Sequence, residues 1–151
     1  MRVVVQRVRN AEVNVLDSGY NASIGHGLLL LAAFIDEDTE DDLDWTARKI
    51  AAMRIFDDEN GVMNLSVKDI EGEILVVSQF TLYASTVKGN RPSYIKAAKP
   101  EIAIPLYEKF VSLTECYLGK EVKRGVFGAD MKVSLLNDGP VTIIVDSKLK
   151  F

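Results

Sequence analysis

The stretch "MKVSLLNDGPVTIIV", Met131 to Val145, decides how the chain folds, because two apolar runs flank an Asp-Gly pair. Such a pair between apolar segments predicts the turn of a β-hairpin. In that reading Asn137 and Asp138 cap their own backbone and Gly139 supplies a positive φ. Pro140 is out of place, since it removes a backbone donor where the second strand should begin its ladder. A Gly-Pro pair at the tip presents bare, rigid backbone, which a turn alone does not require.

The rest of the chain supplies the partners for these strands. Residues 2–8, "RVVVQRV", and 11–16, "AEVNVL", alternate on either side of Arg9-Asn10 and predict an opening hairpin. The run "GLLLLAAFI", 27–35, is a strand buried on both faces or a short buried helix; its length and flanking glycine favour the strand. From Thr39, "TEDDLDWTARKIAAMRIF" predicts a helix, with capping-box spacing between Thr39 and Asp42 and an acidic first turn. Leu43, Ala47, Ile50, Ala51 and Arg54 share its inner face, and "DDENG", 57–61, ends the segment as a loop. "EILVVSQF", 73–80, is a buried strand with polar residues arriving at its end. A second helix follows Pro100, with Leu106, Phe110, Leu113 and Tyr117 at helical spacing and Gly119 as its stop. Strands near 121–127, 131–136 and 141–146 complete about seven strands and two long helices, an α+β domain with helices packed on sheet.

Composition narrows the function. A chain of 151 residues is most simply one domain, 1–151, with 48% hydrophobic and 26% charged residues. No apolar run approaches the ~20 residues of a spanning helix, and the first ten residues lack the pattern of a signal peptide. One cysteine, Cys116, excludes an internal disulfide and points to the cytoplasm. With His26 as the single histidine, a dedicated zinc site of Cys and His is not expected, and any triad would have to be built around His26. The net charge of −4 opposes a polyanion, so a nucleic acid would need a local basic patch.

Three features carry possible chemistry. In "SQFTLYA", 78–84, polar Ser78, Gln79 and Thr81 break an apolar strand; they either pair with backbone as the strand leaves the core or form a site there. Gln79 would then be an amide clamp, and Thr81 a hydroxyl near the reacting atom. The loop "TVKGNRPSYIKAAK", 86–99, carries Lys88, Arg91, Lys96 and Lys99 around Tyr94 and is a phosphate-binding surface or a solvated one. Lys120, Lys123 and Arg124 would extend the patch if folded nearby. The segment "GVFGADM", 125–131, with Phe127 and Met131 among small residues, reads as strand, turn and strand.

Together, "LVVSQFTLYA" and "NDGPVT" resemble the two signature motifs of D-aminoacyl-tRNA deacylases, at the family's spacing. "MRVVVQRV", "ARKIAAMRIFDDENGVMNLSV", "KGNRPSY", "LYEKF" and "FGADMKVSLLNDGPVT" extend the resemblance over essentially the whole chain. It implies hydrolysis of the ester joining a D-amino acid to the terminal adenosine of tRNA, in the cytoplasm, by a homodimer needing neither cofactor nor metal and having no membrane association. It further implies a domain of two mostly antiparallel sheets with a helical layer. The catalytic positions are Ser78, Gln79, Phe80 and Thr81, and tRNA contact falls to Lys88, Arg91, Lys96 and Lys99. Gly139, Pro140, Asn137, Thr142, Phe127, Met131 and Ala103 would govern substrate fit and chirality, through a cis Gly-Pro tip entering the other subunit's site. A wall on one side of the α-carbon would not exclude glycine, with hydrogen on both sides, so glycyl-tRNA is expected to be a substrate as well. The competing readings are an animal-type relative with trans Gly-Pro and relaxed chirality, a non-catalytic tRNA-binding module, and a triad esterase using His26.

Overall fold

No hairpin forms at Arg9-Asn10. In the computed structural model, which describes Met1 to Phe151, the N-terminal segment is one strand, β1 (Arg2–Val15). One edge of β1 pairs antiparallel with β3 (Gly27–Ala33) through residues 2–8 and with β2 (Tyr20–Ile24) through residues 11–15. Its other edge pairs antiparallel with β8 (Lys132–Asp146). Irregularities of register between Gln6 and Asn10 are β-bulges, and they change which face the side chains take. Val3 and Val5 join the core beneath the helices, whereas Val8, Ala11 and Val13 join a second, smaller core. The polar pair Arg9-Asn10 marks this change of face, not a chain reversal.

The Asn137–Thr142 stretch is corrected in the same way. Asn137 pairs with Val8 and Thr142 with Gln6, so Asp138, Gly139, Pro140 and Val141 stand opposite Arg7 alone. The expected strands 131–136 and 141–146 are two halves of β8, running in one direction along the same partner. An Asp-Gly pair between apolar runs signals residues that leave the ladder. It does not say whether the chain then turns back. Pro140, lacking a donor, is accommodated because the bulge takes it out of the pairing.

The remaining strands are β4 (Phe56–Asp57), β5 (Met63–Leu65), β6 (Glu73–Ser78) and β7 (Lys123–Arg124). The main sheet is six-stranded and mixed, in the order β2-β1-β3-β6-β7 with β8 on the free edge of β1. β3–β6 and β6–β7 are parallel, while β4 and β5 form a separate hairpin whose connection is the expected 57–61 loop. The expectation of two mostly antiparallel sheets is therefore corrected to one mixed sheet and one small hairpin. Helical crossovers make the difference, since they bring the next strand in parallel. The Tyr20 hydroxyl donates to the Arg124 carbonyl at 2.7 Å and ties the β2 and β7 margins together. The sheet thus curls around the second core.

Helix α1 (Glu40–Ala52) begins with the predicted capping box between Thr39 and Asp42. It ends at Ala52, earlier than expected, because Met53 turns to extended backbone; Arg54 lies outside the helix and is exposed. Helix α2 (Pro100–Leu118) starts on its proline and stops at Gly119, whose φ of 83° few other residues would accept. Its buried stripe is Ala103, Tyr107, Phe110, Val111, Thr114 and Leu118, with Leu106, Leu113 and Tyr117 at the margin. The rings of Tyr107 and Phe110 meet Phe34 edge-on at 6.5 and 6.4 Å, anchoring α2 to the end of β3. No helix is long and apolar enough to cross a membrane.

Candidate active site

Parallel β3 and β6 finish side by side, and the first motif lies where they finish. The Gln79 backbone N–H donates to the Ala32 carbonyl at 2.7 Å. The strand expected to reach Phe80 ends at Ser78, and a 3-10 turn, Phe80–Tyr83, follows. Opening N–H groups of such a turn have no acceptor within it and face outward from its start. The Gln79 side-chain amide donates to Thr81 Oγ1 at 2.6 Å, so the two polar side chains hold one another.

A cleft of about 270 Å³ opens beside this turn, lined by Ser78, Gln79, Phe80, Ala103, Phe127 and Met131, with Ala32 and Ala33 at the end of β3. Thr81 adjoins it through Gln79. The cleft is mostly apolar, and its one charged lining residue, Asp130, is paired with Lys132 at 2.7 Å. Phe127 rests edge-on against Tyr107, whose hydroxyl donates to the Val76 carbonyl at 3.2 Å. Burial raises the Tyr107 phenol and keeps it neutral. Gly125 leaves room for Met131: a Cβ there would sit 2.6 Å from the Met131 sulfur.

The second motif lies outside this cleft. Asn137, Gly139, Pro140 and Thr142 belong to the β8 bulge, and none of them lines the pocket. Asn137 Nδ2 donates to Thr142 Oγ1 at 3.4 Å, and that hydroxyl donates to Gln6 Oε1. Gly139 and Pro140 are exposed, the peptide bond between them is cis, and Gly139 has a φ of 120°.

Arg7 holds this bulge, and sequence reasoning missed it. Arg7 is buried, donating through Nε to the Asp138 carbonyl at 3.0 Å and through Nη1 to the Ile55 carbonyl at 2.7 Å. Its remaining nitrogen closes on Gly139, where a Cβ would lie 2.8 Å away. Asp57 and Asp138 balance its charge at 3.5 and 3.8 Å. The signal was present, since Arg7 continues the inward alternation of Val3 and Val5, where a charge needs a partner.

The basic loop folds back over the cleft's rim. Ser85 and Ser93 exchange backbone hydrogen bonds of 2.8 and 2.9 Å, and Tyr94 meets half-exposed Phe80 edge-on at 5.1 Å. Lys88, Arg91, Lys96 and Lys99 are all exposed; Lys96 borders a different hollow with Arg2 and Tyr83, and Lys99 caps α2. Lys120 donates to the Glu71 carbonyl, and Arg124 is paired with Glu108 at 2.5 Å.

His26 stands at the far end of the same strands. Gly27 pairs with Glu73 where β3 and β6 begin, and five residue steps along β6 take the chain from there to Ser78, about 17 Å. A triad around His26 therefore cannot serve this cleft. No group of three or more His, Cys, Asp or Glu side chains comes together as a metal site.

Comparison with known proteins accords with this arrangement. Residues 4–146 match the family model described as D-Tyr-tRNA(Tyr) deacylase. A D-aminoacyl-tRNA deacylase of Flavobacterium psychrophilum is 65% identical over 150 residues, covering 99% of both chains. One from Bacteroides fragilis is 61% identical with the same coverage. Among solved structures, the c-Myc DNA unwinding element binding protein is 42% identical with a TM-score of 0.89, covering 97% of this chain and 98% of its own. A probable eukaryotic D-amino acid tRNA deacylase, 20% identical with a TM-score of 0.82 over 95% of this chain and 97% of its own, shares the fold. From its first strand to the end of β8, the chain belongs to the D-Tyr-tRNA(Tyr) deacylase family.

Proposed function

We propose that this protein hydrolyses the ester of D-aminoacyl-tRNA in the cytoplasm, releasing free tRNA and the D-amino acid, and that it does so as a homodimer. One observation carries the reading. A small, nearly uncharged cleft at the Ser78–Thr81 turn lies in a chain that matches curated D-aminoacyl-tRNA deacylases along its whole length. Phe127, Met131 and Ala103 supply its apolar walls, and Ser78 and Gln79 orient the terminal adenosine and the ester carbonyl.

The substrate is an activated ester, so positioning and charge stabilisation can supply much of the rate. Water adds to the carbonyl carbon, and the backbone N–H groups of Phe80 and Thr81 receive the developing oxyanion. The ester C–O bond then breaks, and the ribose oxygen leaves with a proton. Thr81 Oγ1 accepts from the Gln79 amide, and the cleft's one carboxylate, Asp130, is paired with Lys132, which disfavours Thr81 as a nucleophile. The neighbouring ribose hydroxyl of the substrate is the better activator of water. Thr81→Ala retaining turnover while a 2′-deoxy substrate stays inert supports this; the opposite pair of results rejects it.

Chirality is set by Gly139 and Pro140 of one protomer entering the cleft of its partner. Within one chain these residues are exposed and do not line the cleft, while buried Arg7 holds their backbone. β8 pairs along one edge only and exposes Leu135, Leu136 and Ile144, an apolar edge that a second copy would cover. Backbone set against one side of the α-carbon excludes an L side chain without needing a pocket for each D side chain. Glycine, with hydrogen on both sides, is admitted. Exposed Lys88 and Arg91, on the loop clasped beside Phe80, meet tRNA phosphates. Deacylation of D-tyrosyl-, L-tyrosyl- and glycyl-tRNA tests the scheme: hydrolysis of the first and third with sparing of the second is expected. Efficient L-tyrosyl hydrolysis by the wild type overturns the chiral wall.

A further inference from the structure

A second basic surface lies near the Gly139 bulge, to which Arg7 links it through Ile55. At the C-terminal end of α1, Trp45, Arg48, Lys49, Met53 and Arg54 line a shallow hollow. Lys49 stands over the Trp45 ring at 5.9 Å, and Lys150, from the C-terminal tail, stands over it at 5.5 Å. Two separate elements thus bring cations to one aromatic ring, beyond what the helix dipole would recruit to its own last turn. The acids facing these groups are Asp44, 4.0 Å from Arg48 and also the acceptor of the Tyr117 hydroxyl, and Asp69, close enough to sense Arg54. Arg48, Lys49, Arg54 and Lys150 outnumber them, so the surface is positive in a chain whose net charge is −4.

Its position gives the charge a purpose. Arg54 directly precedes Ile55, whose carbonyl accepts from Arg7, and Arg7 also holds Asp138 and crowds Gly139. The hollow and the Gly-Pro bulge are therefore fastened to one another through a single buried side chain. If the bulge seats in a partner's cleft, as proposed above, this surface would go with it toward that cleft's rim. The terminal adenosine held there is attached to a polyanion that has to leave the cleft past the same rim.

We propose that the Trp45–Arg54 surface, with Lys150, is a phosphate-binding face that holds the body of the tRNA whose aminoacyl end occupies the partner's cleft. The inference rests on the deacylase reading above and on its exchange of Gly-Pro bulges. Non-specific phosphate contact is salt-dependent, with each neutralised phosphate adding about 0.7–0.9 to the slope of log affinity against log salt. Each exposed cation removed from a true contact lowers the slope by a similar step.

The test uses the whole 151-residue chain, with two substrates across a salt series: D-tyrosyl-tRNA and D-tyrosyl-adenosine, which has no tRNA body. Lys49→Gln, Arg54→Gln and the double variant are compared with wild type. The expected result is a kcat/KM on D-tyrosyl-tRNA lowered severalfold at low salt, a slope reduced by roughly one for each residue, and unchanged turnover of D-tyrosyl-adenosine. An unaltered slope overturns the inference, as does an equal loss on both substrates, which would mark a structural role. Should wild type hydrolyse neither substrate, the deacylase reading fails first. Binding of uncharged tRNA to the same variants, followed by the same salt series, still tests the surface.

Discussion

Replacing Gly139 by alanine isolates what the bulge requires of its backbone. At a φ of 120° an L side chain is strained, at a cost of about 1–3 kcal/mol. The added Cβ would also lie 2.8 Å from Arg7 Nη2 and 3.0 Å from Val141 Cγ2. Arg7 cannot retreat freely, because it is buried and donates to the Asp138 and Ile55 carbonyls. Loss of one such charge-assisted bond adds about 1.5–3 kcal/mol. The combined destabilisation is roughly 3–5 kcal/mol, or a fall in Tm on the order of 10 °C for a chain of this size. Urea and thermal melts at fixed protein concentration measure it, with Arg7→Ala and the double variant completing a cycle. If the Arg7 contact matters, Gly139→Ala costs at least about 1 kcal/mol less in the Arg7→Ala background. A single variant within ~0.5 kcal/mol of wild type, or strictly additive effects, refutes the account.

Gly27→Ala tests the parallel pairing of β3 and β6, since a Cβ at Gly27 would fall 1.8 Å from the Glu73 carbonyl oxygen. Backbone cannot yield there as a side-chain tip can, so a loss above ~4 kcal/mol or failure to fold is expected, read by circular dichroism and urea melts. Gly125→Ala is the milder counterpart. Its Cβ would displace the Met131 sulfur, so kcat/KM on D-tyrosyl-tRNA falls severalfold while stability drops by no more than about 2 kcal/mol. Asp42 provides the pH test. Burial opposes its charge, yet hydrogen bonds from Lys148 and from the Thr39 backbone and hydroxyl outweigh that and hold the carboxyl well below its usual value of 3.8. A folded-state value below the unfolded one means the stabilisation is complete above about pH 4 and is lost on further acidification. Wild type therefore weakens below that pH more steeply than Asp42→Asn, which urea midpoints across pH 2–7 would show; parallel profiles would exclude Asp42.

The capping box at Thr39, the stop at Gly119 and the buried run of β3 were legible in the sequence because each is a local device with a local signature. The end of β6 near Ser78 was legible for a similar reason: polar residues after an apolar run mark a boundary. Arg9-Asn10 and Asp138-Gly139 were misread as turns. Both mark places where β1 and β8 leave regular pairing, and bulge and turn share a composition, differing only in where the chain goes next. Arg7 stood out only as an inward-facing charge on the alternating strand, and what it holds could not be read. Its partners, Ile55 and Asp138, lie 48 and 131 residues away, and no local pattern reports them. The parallel pairing of β6 with β3 and β7 likewise depends on which way two crossovers pass, and the strands' own residues do not record that.

The change of face along β1 has a consequence for how the molecule comes apart. One strand contributes Val3 and Val5 to the core under the helices and Val8, Ala11 and Val13 to the core inside the curled sheet. Neither core can melt while β1 stays paired, and β1 cannot unpair without opening both. Amides at its centre should therefore exchange with solvent only through global unfolding, whereas those of the 86–96 loop exchange locally. The domain has two interiors, and the strand they share should make them melt in a single transition.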